Sequence, residues 1–285
     1  IVPTWAGSKM PLSSELADAT LQVLADLPTC KVSEPELQAA APMLDAPRRL
    51  SNLPSPGRLL AERFSSREGQ HLFVYPFAGR HVHLGLANLL AWRLSQRRPN
   101  TFSISVNDYG FELLAAEDVD IASLVAGSAL AADATLMADV MASLNSSELA
   151  RRRFREIARV SGLVFTGYPG APKSTRQLQA SSSLFYEVFR QYDPSNRLLG
   201  QAKGEVLAQE LDLAQLSRSL ARMQTQTIDL VPLRAPSPFA LALMVERFRE
   251  QLSTEKLADR LARIVADAQK VLDEPVAARR RRHRA

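Results

Sequence analysis

An α+β domain, rich in helix and built on one mainly antiparallel β-sheet, is the fold class that the sequence predicts. Short segments of β-branched and aromatic residues gather between Leu59 and Leu114. Segments with helical spacing fill most of the remainder, and no internal repeat interrupts them.

The elements follow in order. Pro11 and Leu12-Ser13-Ser14-Glu15-Leu16 start a helix running to about Leu27, with Ser13 or Ser14 as its cap. Ser33-Glu34-Pro35-Glu36 opens a second helix that ends near Leu50, and Asn52-Leu53-Pro54-Ser55-Pro56-Gly57 is a loop by composition. Leu59–Phe64 and His71–Phe77 bracket Arg67-Glu68-Gly69-Gln70 as a hairpin. From Val82 to Arg98, Leu84, Leu86, Leu89, Leu90, Trp92 and Leu94 keep helical spacing until Pro99 stops them. Thr101–Val106 alternates as a half-buried strand, with Phe102, Ile104 and Val106 on one face. Asn107-Asp108-Tyr109-Gly110 turns tightly into a strand over Phe111–Leu114. Helices are expected near 117–126, 129–144, 146–160, 174–191, 195–209 and 211–224, with a loop at Gly167–Pro172. Thr227–Val231 and Phe239–Leu243 read as strands flanking Pro232–Pro238, and a final amphipathic helix covers Thr254 to about Leu272.

With 285 residues, 46% hydrophobic and 23% charged, the chain reads as an ordinary globular protein of one or two domains. Its apolar runs are broken well short of the roughly 18 residues a membrane helix needs. A start of Ile-Val-Pro, without initiator Met or signal-peptide order, reads as a piece of a longer polypeptide. Cys30 is the only cysteine, which excludes an intramolecular disulfide and a cysteine-rich zinc site and fits a reducing cytoplasm. The net charge of +5 resides in the tail arginines 279, 280, 281, 282 and 284, so residues 1–278 are about neutral. The domain is expected over 1–272, with 273–285 a disordered, Arg-rich tail. That tail is either merely solvated or a source of nonspecific attraction for phosphate.

A near-neutral body binds a polyanion only through a local patch. Arg152, Arg155 and Arg159 share one helical face and make the densest basic stripe. The plain reading is a solvated helix face; the functional one is phosphate contact. Lys173, Arg176, Gln177 and Gln179 gather at a helix start, where backbone N–H groups favour phosphate, or else they are simply solvated. Arg80 adds a cation at the Gly79-Arg80 turn. Trp5, in Pro3-Thr4-Trp5-Ala6-Gly7-Ser8-Lys9, either stacks on an exposed base beside Lys9 or packs under the next helix.

Three further motifs carry no chemistry. Gly167-Tyr168-Pro169-Gly170-Ala171-Pro172-Lys173-Ser174 mimics a P-loop, but Pro172 stands where glycine must offer an N–H to phosphate. His81 and His83 form an H-x-H pair without the third and fourth ligands a metal requires. Asp108 and Glu112 have no partner nucleophile, and turn chemistry accounts for Asp108.

Five stretches resemble the DEAD/DEAH-associated accessory region of Lhr-type DNA helicases. They are Trp5–Leu16, His71–Leu114, Glu148–Ile157, Lys173–Gln179 and Pro236–Ala240, in the family's order and reaching to about residue 265. The subgroup they most resemble is that of bacterial helicases associated with DNA ligase in damage response. The resemblance implies a parent that hydrolyses ATP with Mg²⁺ and moves 3′ to 5′ on single-stranded DNA, unwinding duplexes and RNA:DNA hybrids. By the same resemblance, two RecA-like domains and a winged-helix domain would precede this region, and none of their G-x-x-x-x-G-K-[ST], D-E-x-H or Q-x-x-R-x-G-R segments occurs here. The resemblance also implies that Trp5 is the family's base-stacking tryptophan. Two readings follow. One is a noncatalytic C-terminal module that binds single-stranded DNA in a repair helicase; the other is a protein-interaction or oligomerisation module using helices 195–224 or 254–272. A free-standing hydrolase lacks any assembled nucleophile, base and orienter.

Overall fold

The computed structural model describes residues 12–27, 34–120, 126, 130, 135–146, 148–165, 167–168, 171–207, 213–250 and 257–274. Helix α1 (Ser14–Asp26) is capped by Ser13, whose hydroxyl accepts from the Leu16 N–H. The second expected helix is three pieces: α2 (Pro35–Ala40), a 3-10 turn (Ala41–Leu44) and α3 (Asp45–Leu50).

The sheet is built by β1 (Arg58–Ser66), β2 (Gly69–Val74), β3 (Phe102–Val106) and β4 (Phe111–Ala115), with α4 (Arg80–Arg97) inserted between its two hairpins. Chain reversals at close quarters demand glycine twice. At Gly69 φ is +136° and a Cβ would meet the Ala115 carbonyl oxygen at 2.2 Å; at Gly110 it would meet that of Val74 at 2.5 Å.

Beyond the sheet come α5 (Leu136–Ser146), α6 (Glu148–Val160), the small β5 (Gly167–Tyr168) and β6 (Ala171–Pro172) hairpin, and α7 (Thr175–Tyr192). Then follow α8 (Arg197–Glu205), α9 (Leu213–Thr225), β7 (Thr227–Pro232), α10 (Pro238–Glu250) and α11 (Leu257–Asp273). Strand order is β3-β4-β2-β1-β7. Every pairing is antiparallel except β1 with β7, which is parallel.

Two sequence expectations are corrected. Phe239–Leu243 is the start of α10, not a strand. Ser237 caps it by accepting from the Ala240 N–H, and Pro238 sits at the first helical position, where its missing N–H costs nothing. Glu117–Asp120 is not helical, and most of the rest of that expected helix lies outside the described residues. At the C-terminal end, Asp273 still belongs to α11, and Glu274 pairs with Arg234 at 2.5 Å. The Arg tail lies outside the described residues.

Alternation along the strands feeds two cores. Leu59, Ala61, Leu72, Val74, Phe111 and Leu113 face α4, α5 and α9. Leu60, Phe73 and Tyr75 face α1, α10 and α11. A third core is built by α6, α7 and α8 with Val164 of the segment after α6, around Phe154, Ile157, Tyr186 and Leu199. Val206, directly after α8, is buried in the first core and so ties the helical unit to the sheet.

The second sheet face also carries buried charge. Glu112, wholly buried, meets His71 Nδ1 at 2.7 Å and accepts from Arg247 Nε of α10 at 3.1 Å. Arg247 also reaches Glu68 at 2.6 Å. Glu62 lies on the same face, paired with no cation among the described residues, and accepts from Tyr75 at 2.6 Å and Ser237 at 2.8 Å. Burial accordingly raises its carboxyl above the usual range. Removing one partner of a buried ion pair strands the other charge, at about 3–5 kcal/mol. Arg247→Met, which keeps length but not charge, should lower the urea-unfolding free energy by about that amount.

Candidate nucleic-acid interface

Helix α6 carries five arginines on one amphipathic surface, and the fold divides their labour. Arg151 pairs with Glu187 of α7 and lies 5.9 Å from the centroid of the Tyr186 ring. Arg153 reaches Glu205 of α8 at 3.4 Å and Glu156 at 3.5 Å. These two knit the helical unit together. Arg152 and Arg159 are exposed and Arg155 is half-buried.

Arg155 and Arg159 then line a cleft of about 170 Å³ whose other wall is α7, through Leu178, Gln179 and Ser182. Val164 closes one side and Glu156 contributes the single acid. Arg155 Nε is shielded from solvent without a hydrogen-bond partner among the described residues. A shielded cationic N–H beside a second arginine and an amide suits an anionic oxygen, because the Arg155 Nε–H would otherwise go unmatched.

The start of α7 borders this cleft. Ser174 accepts from the Gln177 N–H at 3.3 Å and Gln177 Oε1 accepts from the Ser174 N–H at 3.1 Å, a reciprocal capping box. Gln177 thus has a structural task, leaving Lys173, Arg176 and Gln179 exposed around the helix start. Lys173 Nζ stands 5.2 Å from the centroid of the Phe165 ring. Phe165 in turn meets Tyr168 edge-on, with ring centroids 5.1 Å apart. Sequence reading missed both rings. Their only trace was an aromatic on either side of a glycine turn, because exposure is not written in local pattern.

The remaining expected residues lie elsewhere. Arg80 is the first residue of α4, half-buried within electrostatic reach of His83, and is not among the residues that line the cleft. Trp5 and Lys9 lie outside the described residues.

Residues 53–240 match the family described as DEAD/H associated. The chain belongs to that family. It is similar to the ATP-dependent helicase Lhr-Core of Methanocaldococcus jannaschii, 24% identical over 258 residues, 86% of this chain and 30% of that protein. Lhr-Core protein 2 of Thermococcus barophilus is 22% identical over 260 residues, again 86% of this chain and 30% of that one. The chain therefore spans about a third of the length of the relatives it matches. Among solved structures, Mycobacterium smegmatis helicase Lhr bound to ssDNA and AMP-PNP shares the fold, with a TM-score of 0.63 at 21% identity over 85% of this chain and 32% of that one. The Lhr-type resemblance carried by the five sequence stretches is thereby met.

In this DEAD/H associated domain the P-loop mimic is a two-residue ladder, Gly167 opposite Pro172 and Tyr168 opposite Ala171. Pro172 has no N–H, and the residues do not fit a nucleotide phosphate there. No His, Cys, Asp and Glu grouping suited to a metal occurs among the described residues. No helix among them is long and apolar enough to cross a membrane. Glu112 is consumed by its buried contacts with His71 and Arg247, and the turn beside it is held by Asn107, whose side chain accepts from the Tyr109 and Gly110 N–H groups.

His83 is a buried strut. Nδ1 donates to the Asn107 carbonyl at 2.7 Å, since that oxygen can only accept, and Nε2 accepts from the Ala78 N–H at 2.9 Å. Burial first, and the positive charge of Arg222 and Arg80 next, press its pKa from 6.5 to about 4. The unfolded chain takes up this proton below pH 6.5, whereas the folded one resists until about 4. The contribution is whole above pH 6.5 and is lost as pH falls to 4, on the order of 3 kcal/mol in all. Thermal melts between pH 7 and 4.5 should show falling stability in the unmodified chain, and His83→Gln should flatten part of that fall.

Proposed function

We propose that this chain is the noncatalytic accessory part of an ATP-dependent, 3′-to-5′ Lhr-type helicase, where it holds single-stranded DNA or one strand of an RNA:DNA hybrid. ATP and Mg²⁺ belong, in this reading, to RecA-like domains of the parent, which with its winged-helix domain would be the chain's permanent neighbours. The reading extends to a cytoplasmic repair role alongside ligase-associated proteins. What carries it is the cleft between α6 and α7, where Arg155, Arg159 and Gln179 converge with Arg155 Nε unmatched. The DNA-bound state of the mycobacterial relative is consistent with the same ligand.

A second reading, a protein-interaction or oligomerisation module, draws support from a different helix than sequence pointed to. Leu184, Val188 and Tyr192 lie at helical spacing along α7 and are 65%, 40% and 75% exposed. Light scattering separates the two readings, since a stable oligomer without DNA affinity would favour the second.

Fluorescence anisotropy with a short single-stranded oligonucleotide tests the first. Affinity should fall steeply with salt, and Arg155→Gln and Arg159→Gln should each flatten the plot of log affinity against log salt by about 0.7. Unchanged slopes in both variants would remove the cleft from the interface. For Trp5, stacking predicts a loss of about 1–3 kcal/mol in Trp5→Ala. Equal binding by the two chains would sink that role.

A further inference from the structure

Two aromatic rings stand exposed just beyond Val164, the residue that walls the basic cleft. Phe165 is 50% exposed and Tyr168 72%, although a buried place is the ordinary fate of such rings. In their T-shaped contact the edge of one ring meets a face of the other, so each exposed ring keeps at least one face clear of its neighbour. The frame around them is cationic and polar. Lys173 Nζ lies over the Phe165 ring, 5.2 Å from its centroid, Arg159 is exposed close by in sequence, and the connecting Ser161-Gly162 turn is also exposed. An apolar protein surface would leave these cations unmatched, whereas a polyanion that carries its own flat rings satisfies both features. Position points the same way. Val164 walls the cleft lined by Arg155 and Arg159, and its chain neighbour Phe165 bears the first ring.

We propose that Phe165 and Tyr168 form a base-stacking platform for single-stranded nucleic acid, with Lys173 fixing Phe165 and the Arg155–Arg159 cleft taking the adjoining phosphate. This rests on the single-strand reading above and assigns it a second stacking site, distinct from Trp5. Because any base offers a π-face, the platform should be indifferent to sequence while requiring that bases be present.

Tyr168 is the residue to change, since its exposure lets the ring go without opening a core. Binding of the full chain is measured by anisotropy to oligothymidylate and to an abasic-spacer strand of equal length. Tyr168→Ala should bind oligothymidylate about tenfold more weakly and leave the abasic strand and the salt slope unchanged. Tyr168→Phe, which keeps the ring, should match the unmodified chain, and Phe165→Leu should behave as Tyr168→Ala does. Equal binding of oligothymidylate by Tyr168→Ala and the unmodified chain would overturn the platform while leaving the cationic cleft intact. So would an equal loss on both strands, which would mean that the ring only shapes the hairpin. A dimer that dissolves on Tyr168→Ala would overturn it in favour of self-association. If the unmodified chain binds neither strand, the single-strand reading fails and takes the platform with it.

Discussion

Glu112 sets the terms for the rest of the fold. A carboxylate buried on a sheet face must be met by charge or by hydrogen bonds, and His71 from β2 and Arg247 from α10 meet it. The requirement pins α10 across the second sheet face, where Ser105 also donates to the Leu243 carbonyl at 2.8 Å. Through Glu68, Arg247 ties the β1–β2 turn to the same assembly. Glu62 shows the alternative. With hydroxyls but no cation it is driven towards the neutral form, so the two carboxyls on one face differ in character.

That arrangement leaves the α6–α8 unit free to specialise. Its own core, around Phe154 and Tyr186, holds it together, and Val206 anchors it to the sheet. The arginine stripe of α6 is correspondingly split. Glu187 and Glu205 absorb Arg151 and Arg153 into packing, while Arg155 and Arg159 face a cleft whose opposite wall offers only one amide, a hydroxyl and an apolar side chain. A charge run on a helix is ordinarily just solvated; here tertiary packing decides which of its members are structural.

Much of the sheet was legible because period-two alternation and turn glycines are local properties. The hairpins closing at Ser66–Gly69 and Asn107–Gly110 lie where composition placed them. The α10 misreading has an equally local cause. Phe239–Leu243 is short and apolar, and five such residues cannot reveal their period. The capping Ser237-Pro238 pair was the better guide, and the continuation to Glu250 settles the matter. The strand at Thr227–Val231 was legible, but its parallel pairing with β1 was beyond local reach, since its partner lies far off in the chain.

The candidate site divides along the same line. The Arg152, Arg155 and Arg159 face is a consequence of 3.6-residue periodicity and needed no structure. Its meeting with Gln179, the diversion of Gln177 into a cap and the exposure of Phe165 and Tyr168 all depend on how α7 lies against α6. Helical phase, turns and charge content belong to neighbours in sequence, so the chain's order of residues alone determined them. Which arginines are neutralised, which rings remain in solvent and how a carboxylate is buried depend on groups as far apart as Glu112 and Arg247, and only the folded chain brings those together.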